Sequence, residues 1–354
     1  DNKLLSFANN RPYVCLQSTV CLFTPHRDYE LQIISIASFI PSPFFVQSEH
    51  LSYLCAPKSN NMATKATFWY HLMAIFTVVV WGTTFVSTKV LINYGLSPAE
   101  ILLYRFTLAY VCIWFISPRK LFARSLKEEL IFVAAGLSGG SLYFLTENTA
   151  LGITLASNVS LIISTAPILT AFLSLLFFRK ERLTSQLIYG SLIALTGVAF
   201  VVFNGSFILK INPLGDLLTL TAALMWAFYG IILRYLNNYP TLFVTRKVFF
   251  YGVVTLLPFF LFHPIKFDSE VLLKPVVLAN LFFLGVVASM LCYILWTVTI
   301  KKLGMLRTTN YIYVIPMVTL LASSLVIHEH ITPIALTGSV LILLGVYMAE
   351  RRSK

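Results

Sequence analysis

The chain has 354 residues, of which 58% are hydrophobic and only 11% charged. A soluble domain covers its surface with about 25% charged residues, so this composition excludes an ordinary water-soluble fold and leaves the apolar surface facing lipid. The formal charge of +12 does not mark a nucleic-acid binder, because the Lys and Arg residues cluster in short stretches between apolar runs, where they hold loops against anionic headgroups.

Residues 1–61 differ from the rest. They begin with Asp1, and Pro25, Pro41, Pro43 and Pro57 interrupt their apolar pieces. The best run, Leu31 to Val46, falls short of the roughly 20 apolar residues that a spanning helix needs. It also lacks the basic start and small-residue cleavage site of a signal peptide. Met62 reads as the natural start, with 1–61 an extension that is not native or is disordered.

From Phe68 onward apolar segments succeed one another with short breaks. Spans are expected at 68–92, 98–117, 130–150, 154–178 and 185–204, then at 214–234, 241–262, 275–299, 305–327 and 331–349. In lipid every backbone amide must bond within its own segment, and the runs do not alternate as barrel strands do, so they are helices. With the N-terminus inside, fifteen cations fall on the inner side: Lys65, Arg119, Lys120, Arg124, Lys127, Arg179, Lys180, Arg182, Arg234, Lys301, Lys302, Arg307, Arg351, Arg352 and Lys354. Only Lys210, Lys266 and Lys274 fall outside. This bias places both termini in the cytoplasm of a multi-pass protein of the cell inner (plasma) membrane.

The two sets of five repeat one another. Glu181 is followed by Thr184, Gly190 and Gly197; Glu329 is followed by Thr332, Gly338 and Gly345 at the same spacings. Pro167 with Thr170 and Ser174 matches Pro316 with Thr319 and Ser323, and Gly136 and Gly285 each lie 31 residues before their proline. Trp81 precedes Lys89 by eight, and Trp226 precedes Arg234 by eight. A unit of five spans is odd, so the second copy enters the membrane from the opposite side, the inverted-repeat plan of secondary transporters. The fold expected is all-α, with ten transmembrane helices as two inverted five-helix repeats, 62–208 and 209–354.

Charges within apolar runs come first as functional candidates, because burying an ion in lipid is costly. Lys89, Arg105 and Glu147 fall in the outer parts of the first three spans, and Arg246 with Lys247 in the inner part of the seventh. Glu147 is expected to pair with Lys89 or Arg105, either to hold a zwitterion or to make and break during gating. Pro167 and Pro316 are expected as mid-helix hinges, since proline removes one backbone bond and frees a carbonyl. Asn158 precedes the first proline, and Asn310 and Tyr313 the second. Trp81, Tyr143, Trp226, Tyr229, Trp296 and Tyr313 are aromatic candidates for the cavity wall. The repeated glycines read as close helix packing. His328-Glu329-His330 puts its two imidazoles on different helical faces and is not a metal site. The five cysteines, at 15, 21, 55, 112 and 292, make no CxxC pair. No HExxH, P-loop or GxSxG run occurs, so neither enzyme activity nor a cofactor is expected.

Taken together, W-G-T-T-F-V-S-T-K at 81–89, Pro98 with Arg105, P-I-L-T at 167–170, E-R-L-T at 181–184 with Gly190 and Gly197, and their second-half partners resemble the EamA-type transporters of the drug/metabolite transporter superfamily. The likeness runs over about 65–350. It departs in the second half, where Ala227 follows Trp226 and Arg246-Lys247 replaces a single Arg. The resemblance implies a central cavity lined by the first four helices of each half, with the fifth and tenth helices behind. It implies a secondary transporter, an exporter of amino acids or similar small metabolites by alternating access, whose partners are a small-molecule substrate and the bilayer. A homo-oligomer is left open. A nucleotide-sugar or phosphorylated-metabolite carrier is the alternative, with Lys89, Arg105 and Lys247 as its cations. A lipid-handling enzyme lacks a visible catalytic dyad.

Overall fold

Helix after helix follows from the apolar runs, and their ends carry recognisable signals. The computed structural model describes residues 60–118, 122–154, 156–178, 183–203, 212–265, 269–327 and 332–350, and these hold no strand. Helix α1 is Asn60–Asn93 and α2 is Pro98–Ile116. Ser97 starts α2 with a capping box: its Oγ accepts from Glu100 N, and the Glu100 carboxylate accepts from Ser97 N at 2.8 Å. That reciprocal pair satisfies two orphan amides of the first turn and explains the buried Glu100. The third segment is α3 (Leu126–Gly136), a π-helical stretch Leu137–Ser141, and α4 (Leu142–Ile153). Then come α5 (Ala156–Ile163), α6 (Ala166–Phe177) and α7 (Ser185–Phe203).

The second half mirrors this order. It comprises α8 (Pro213–Tyr235), α9 (Thr241–Leu256), α10 (Phe259–Phe262) and α11 (Ser269–Leu272). A third segment again carries a π-helical stretch: α12 (Pro275–Phe282), then Phe283–Leu291, then α13 (Cys292–Leu303). The chain closes with α14 (Met305–Asn310), a 3₁₀ turn Tyr311–Val314, α15 (Ile315–Ile327) and α16 (Pro333–Glu350). Residues Ala66–Lys354 form one compact unit. The two π stretches sit at or beside the sequence-matched Gly136 and Gly285, where a close neighbour presses on each. A Cβ at Gly136 would lie 2.4 Å from Tyr251 Cβ of α9, and one at Gly285 would lie 2.8 Å from Leu108 of α2. Each half therefore inserts its second helix against the third segment of the other.

Among the described residues eight segments are long and apolar enough to cross a bilayer: Thr67–Asn93, Pro98–Ile116, Leu126–Ile153, Val159–Phe177, Ser185–Val202, Pro213–Tyr235, Thr241–Phe262 and Pro275–Leu303. The expected span 305–327 is broken by the 3₁₀ turn ahead of Pro316, and the expected 331–349 is a shorter apolar helix, Pro333–Ala349. Large apolar side chains such as Phe68, Phe172, Leu217, Leu261 and Leu325 stand exposed around the bundle. A helix apolar on its outward face as well as its inward one belongs in lipid.

The repeated glycines pack α7 on α16. Gly190 meets Gly345 and Gly197 meets Gly338, with each added Cβ placed within 2.5–2.6 Å of the partner glycine's carbonyl oxygen. Because the lower number on one helix meets the higher on the other, these sequence-matched helices run antiparallel. Only residues without a Cβ allow backbones so close. Glu181, Glu329, the His328–His330 run and residues 1–59 lie outside the described residues.

Candidate functional site

Near the middle of the bundle a pocket is lined by Trp81, Thr84 and Phe85 of α1, Arg105 of α2, Tyr143, Phe144 and Glu147 of α4, and Ile163 of α5. Trp226 of α8, Tyr293 of α13, Ile312 of the 3₁₀ turn and Ile315 of α15 complete it. Its volume is about 30 Å³, room for little more than a water molecule, so a larger guest enters only when side chains move.

The walls are aromatic and interlocked. Trp81 and Trp226, matched positions of the two halves, meet edge to face with centroids 5.1 Å apart. Tyr143 lies 5.1 Å from Trp226, and Trp296 packs 5.0 Å from Trp81 behind the wall. Two cross-half hydrogen bonds lock the rings: Trp81 Nε1 donates to the Ala288 carbonyl at 2.9 Å, and Tyr293 OH donates to the Gly139 carbonyl at 2.6 Å. Both acceptors belong to the π-helical stretches. A π turn disturbs the regular i to i−4 ladder, and here indole and phenol donors occupy carbonyls at those two places.

Two charges share this wall, both nearly fully buried. Arg105 donates from Nε to Ser289 Oγ at 3.0 Å, with its Cζ 4.2 Å from the Phe144 ring centroid. Glu147 accepts from Tyr143 OH at 2.8 Å, one turn back on its own helix. The expected ion pairing is corrected: among the described residues Arg105 and Glu147 form no direct ion pair, and each is held by a neutral partner. Lys89 does not reach Glu147 either. It is exposed, and its Nζ donates to the Leu151 carbonyl at 3.0 Å, a cation at the carbonyl end of α4 where the helix dipole favours it.

Lys247 is also elsewhere. It forms a salt bridge with Glu129 of α3, a carboxylate that also accepts from Tyr251 OH and, at 2.7 Å, from Ala123 N. Next to it Arg246 donates to the Ser117 carbonyl, Tyr239 OH donates to Glu128 at 2.7 Å, and Lys301 donates to the Tyr239 carbonyl. This polar seam joins the first half to the second at one end of the bundle, away from the pocket. Burial forces such a pairing, because an unpaired charge there costs several kcal/mol.

Of the other expected residues, Tyr229 is buried against Gly139 and 5.3 Å from Trp226, behind the lining. Asn310 and Tyr313 are buried on the segment whose Ile312 and Ile315 supply the lining instead. The side chain of Asn158 lies outside the described residues. Pro167 and Pro316 do not bend continuous helices. Each is the second residue of a new one, after the break at Ser164–Thr165 and the 3₁₀ turn. The residues four before them, whose carbonyls proline cannot bond, are Ile163 and Ile312, and both line the pocket.

Sequence inspection missed Thr84, Phe85, Phe144, Tyr293, Ser289 and Glu129. A signal for two of them was present: Phe144 and Tyr293 each stand eight residues after the matched Gly136 and Gly285.

The model of the EamA-like transporter family matches residues 68–203 and again 213–350. The chain belongs to the EamA-like transporter family. It is a multi-pass membrane protein and a transporter by family, and the double match reports a duplicated unit. Relatives include an "Uncharacterized transporter" of Archaeoglobus fulgidus, 26% identical over 80% of this chain and 97% of the relative. A "Probable amino-acid metabolite efflux pump" of Escherichia coli is 26% identical over 78% and 93%. A "Probable terminal-alkyne amino-acid exporter" of Streptantibioticus cattleyicolor is 27% identical over 79% and 92%. A solved crystal structure matches with a TM-score of 0.63 at 19% identity, covering 79% of this chain and 96% of its own. At that identity the likeness concerns the fold alone.

Proposed function

We propose that this EamA-family chain exports amino acids or similar zwitterionic metabolites across the plasma membrane by alternating access. The observation that carries the reading is the pocket holding Arg105 and Glu147 together, unpaired with each other, within an aromatic wall. A buried cation and a buried anion so held suit a ligand carrying both charges. The substrate carboxylate goes to Arg105, the ammonium to Glu147 and the faces of Trp81, Tyr143 and Trp226, and an apolar side chain to Ile163, Ile312 and Ile315. The names of the Escherichia coli and Streptantibioticus cattleyicolor relatives support this substrate class. The nucleotide-sugar alternative loses two of its three cations, since Lys89 and Lys247 are engaged away from the pocket.

The working architecture is ten helices in two inverted repeats, 62–208 and 209–354, with both termini cytoplasmic. The antiparallel contact of the matched helices α7 and α16 supports the inversion, and the cation bias supports the orientation. In that orientation the Glu128–Glu129 seam closes the cytoplasmic end. The prolines at the two helix breaks serve as the hinges.

Counterflow in proteoliposomes tests the reading, using a labelled amino acid, its amine lacking the carboxylate and its N-acetyl derivative lacking the ammonium. The amino acid should exchange well and both analogues at least about tenfold less, because each analogue leaves a buried polar group of the site without its partner. Equal exchange of all three, or exchange of neither the amino acid nor its analogues by an active protein, refutes it.

A further inference from the structure

We infer that Ser289, on the π-helical stretch Phe283–Leu291 of the second half, is a positioning residue that orients the Arg105 guanidinium for an anionic group of the substrate. The inference rests on the zwitterion reading above and adds to it the element that makes the anion subsite directional.

An arginine side chain is long, and an unrestrained guanidinium spends rotamer freedom on any ligand that fixes it. Arg105 is fixed twice in advance. Its Nε donates to Ser289 Oγ at 3.0 Å, and its Cζ lies over the Phe144 ring, 4.2 Å from the centroid. Nε is only one of five N–H donors. With Nε held, the Nη1/Nη2 edge is the fork left for a carboxylate, the bidentate geometry in which Arg is strongest.

Ser289 itself is fully buried, and the stretch carrying it is tied down on both sides. Its neighbour Ala288 accepts the Trp81 indole N–H at 2.9 Å. One turn back, Gly285 lets Leu108 approach so closely that a Cβ would stand 2.8 Å from it. Leu108 is three residues from Arg105 on α2, so that contact sets the register in which Arg105 meets Ser289. One π-helical stretch thus anchors two pocket side chains of the opposite half, the cation and an aromatic wall. A π turn closes i to i+5 rather than i to i+4, so an α-helical backbone here would turn Ser289 relative to Gly285, four residues earlier, and shift the two contacts against each other.

Purified Ser289→Ala, Ser289→Thr and Arg105→Gln are compared with the parent in proteoliposome exchange and in a ligand-binding titration, using an amino acid and its decarboxylated amine. Thermal melting is followed alongside. Ser289→Ala should weaken amino-acid binding about tenfold, the loss expected when one hydrogen bond to a charged group is removed, while amine binding and the maximal exchange rate stay put. Ser289→Thr, which keeps the hydroxyl, should restore the amino-acid affinity. Arg105→Gln should abolish the preference for acid over amine.

If Arg105→Gln lowers that preference and Ser289→Ala does not, the positioning role is overturned and the carboxylate subsite stands. If Ser289→Ala weakens acid and amine alike, the serine only packs and the proposal fails. If Arg105→Gln leaves the preference untouched, the zwitterion reading itself fails, and the inference with it.

Discussion

Substituting Gly345 by Ala probes one of the tightest backbone approaches among the described residues. A Cβ there would stand 2.4 Å from Ala194 N and 2.5 Å from the Gly190 carbonyl oxygen. Ordinary heavy-atom contact begins about 1 Å further out, and both obstacles are backbone, so no rotamer change relieves the clash. The helices α7 and α16 must part locally by about that distance. Overpacking of this kind costs about 1–3 kcal/mol, and the better helix propensity of Ala returns up to about 1 kcal/mol. The net loss is then about 1–2 kcal/mol, which lowers the melting temperature by roughly 2–8 °C for a domain of this size. Gly152→Ala is the control: nothing lies within 4 Å of its added Cβ, so the propensity gain acts alone and the variant should melt slightly higher. Scanning fluorimetry in detergent reads both. The double variant Gly190→Ala with Gly345→Ala adds a sharper test. Once one methyl has parted the helices at this reciprocal contact, the second should cost less than it does alone, a coupling of about 1 kcal/mol. Were Gly345→Ala as stable as the parent, or the two losses strictly additive, the close antiparallel packing of α7 on α16 would be wrong.

Three further outcomes follow from the polar seam, the pocket wall and the chain's start. Lys247→Gln and Glu129→Gln should each destabilise by about 3 kcal/mol, near the lower end for a buried pair because Glu129 keeps some water contact, and the double variant should recover part of the loss; a thermal-melt double-mutant cycle with no coupling contradicts the salt bridge. Trp81→Phe keeps the ring packing but removes the indole donor to the Ala288 carbonyl. It should cost about 1–2 kcal/mol and weaken exchange, and an unchanged melt and rate would show that the indole bond is dispensable. A chain begun at Met62 should insert and exchange like the full chain, since the family match begins at 68; loss of either in a membrane-fractionation and exchange assay assigns residues 1–61 a part in the protein.

The membrane class, eight of the ten expected helical spans and the duplication were legible in the residues themselves, because they rest on local physics. A run of about 20 apolar residues either spans or does not, and matched Gly, Pro and Trp spacings survive in one dimension. Five pocket residues, Trp81, Arg105, Tyr143, Glu147 and Trp226, were legible for the same reason: a charge or a repeated Trp inside an apolar run stands out. What each charge touches was not legible. Lys89 caps α4, Lys247 pairs with Glu129, and Arg105 meets Ser289, although all three read alike as cations within spans. Nor did the spacing of Pro316 announce that a 3₁₀ turn would break its helix, or that the wall would come from Ile312 and Ile315 rather than Asn310 and Tyr313. Those outcomes depend on which helix of one half lies against which segment of the other, and at what rotation. The two π-helical stretches set that rotation through contacts as distant in sequence as Trp81 with Ala288 and Gly139 with Tyr293. Apolar periodicity records only that a face is buried; the partner of a buried polar atom is chosen by the packing that brings two distant segments together.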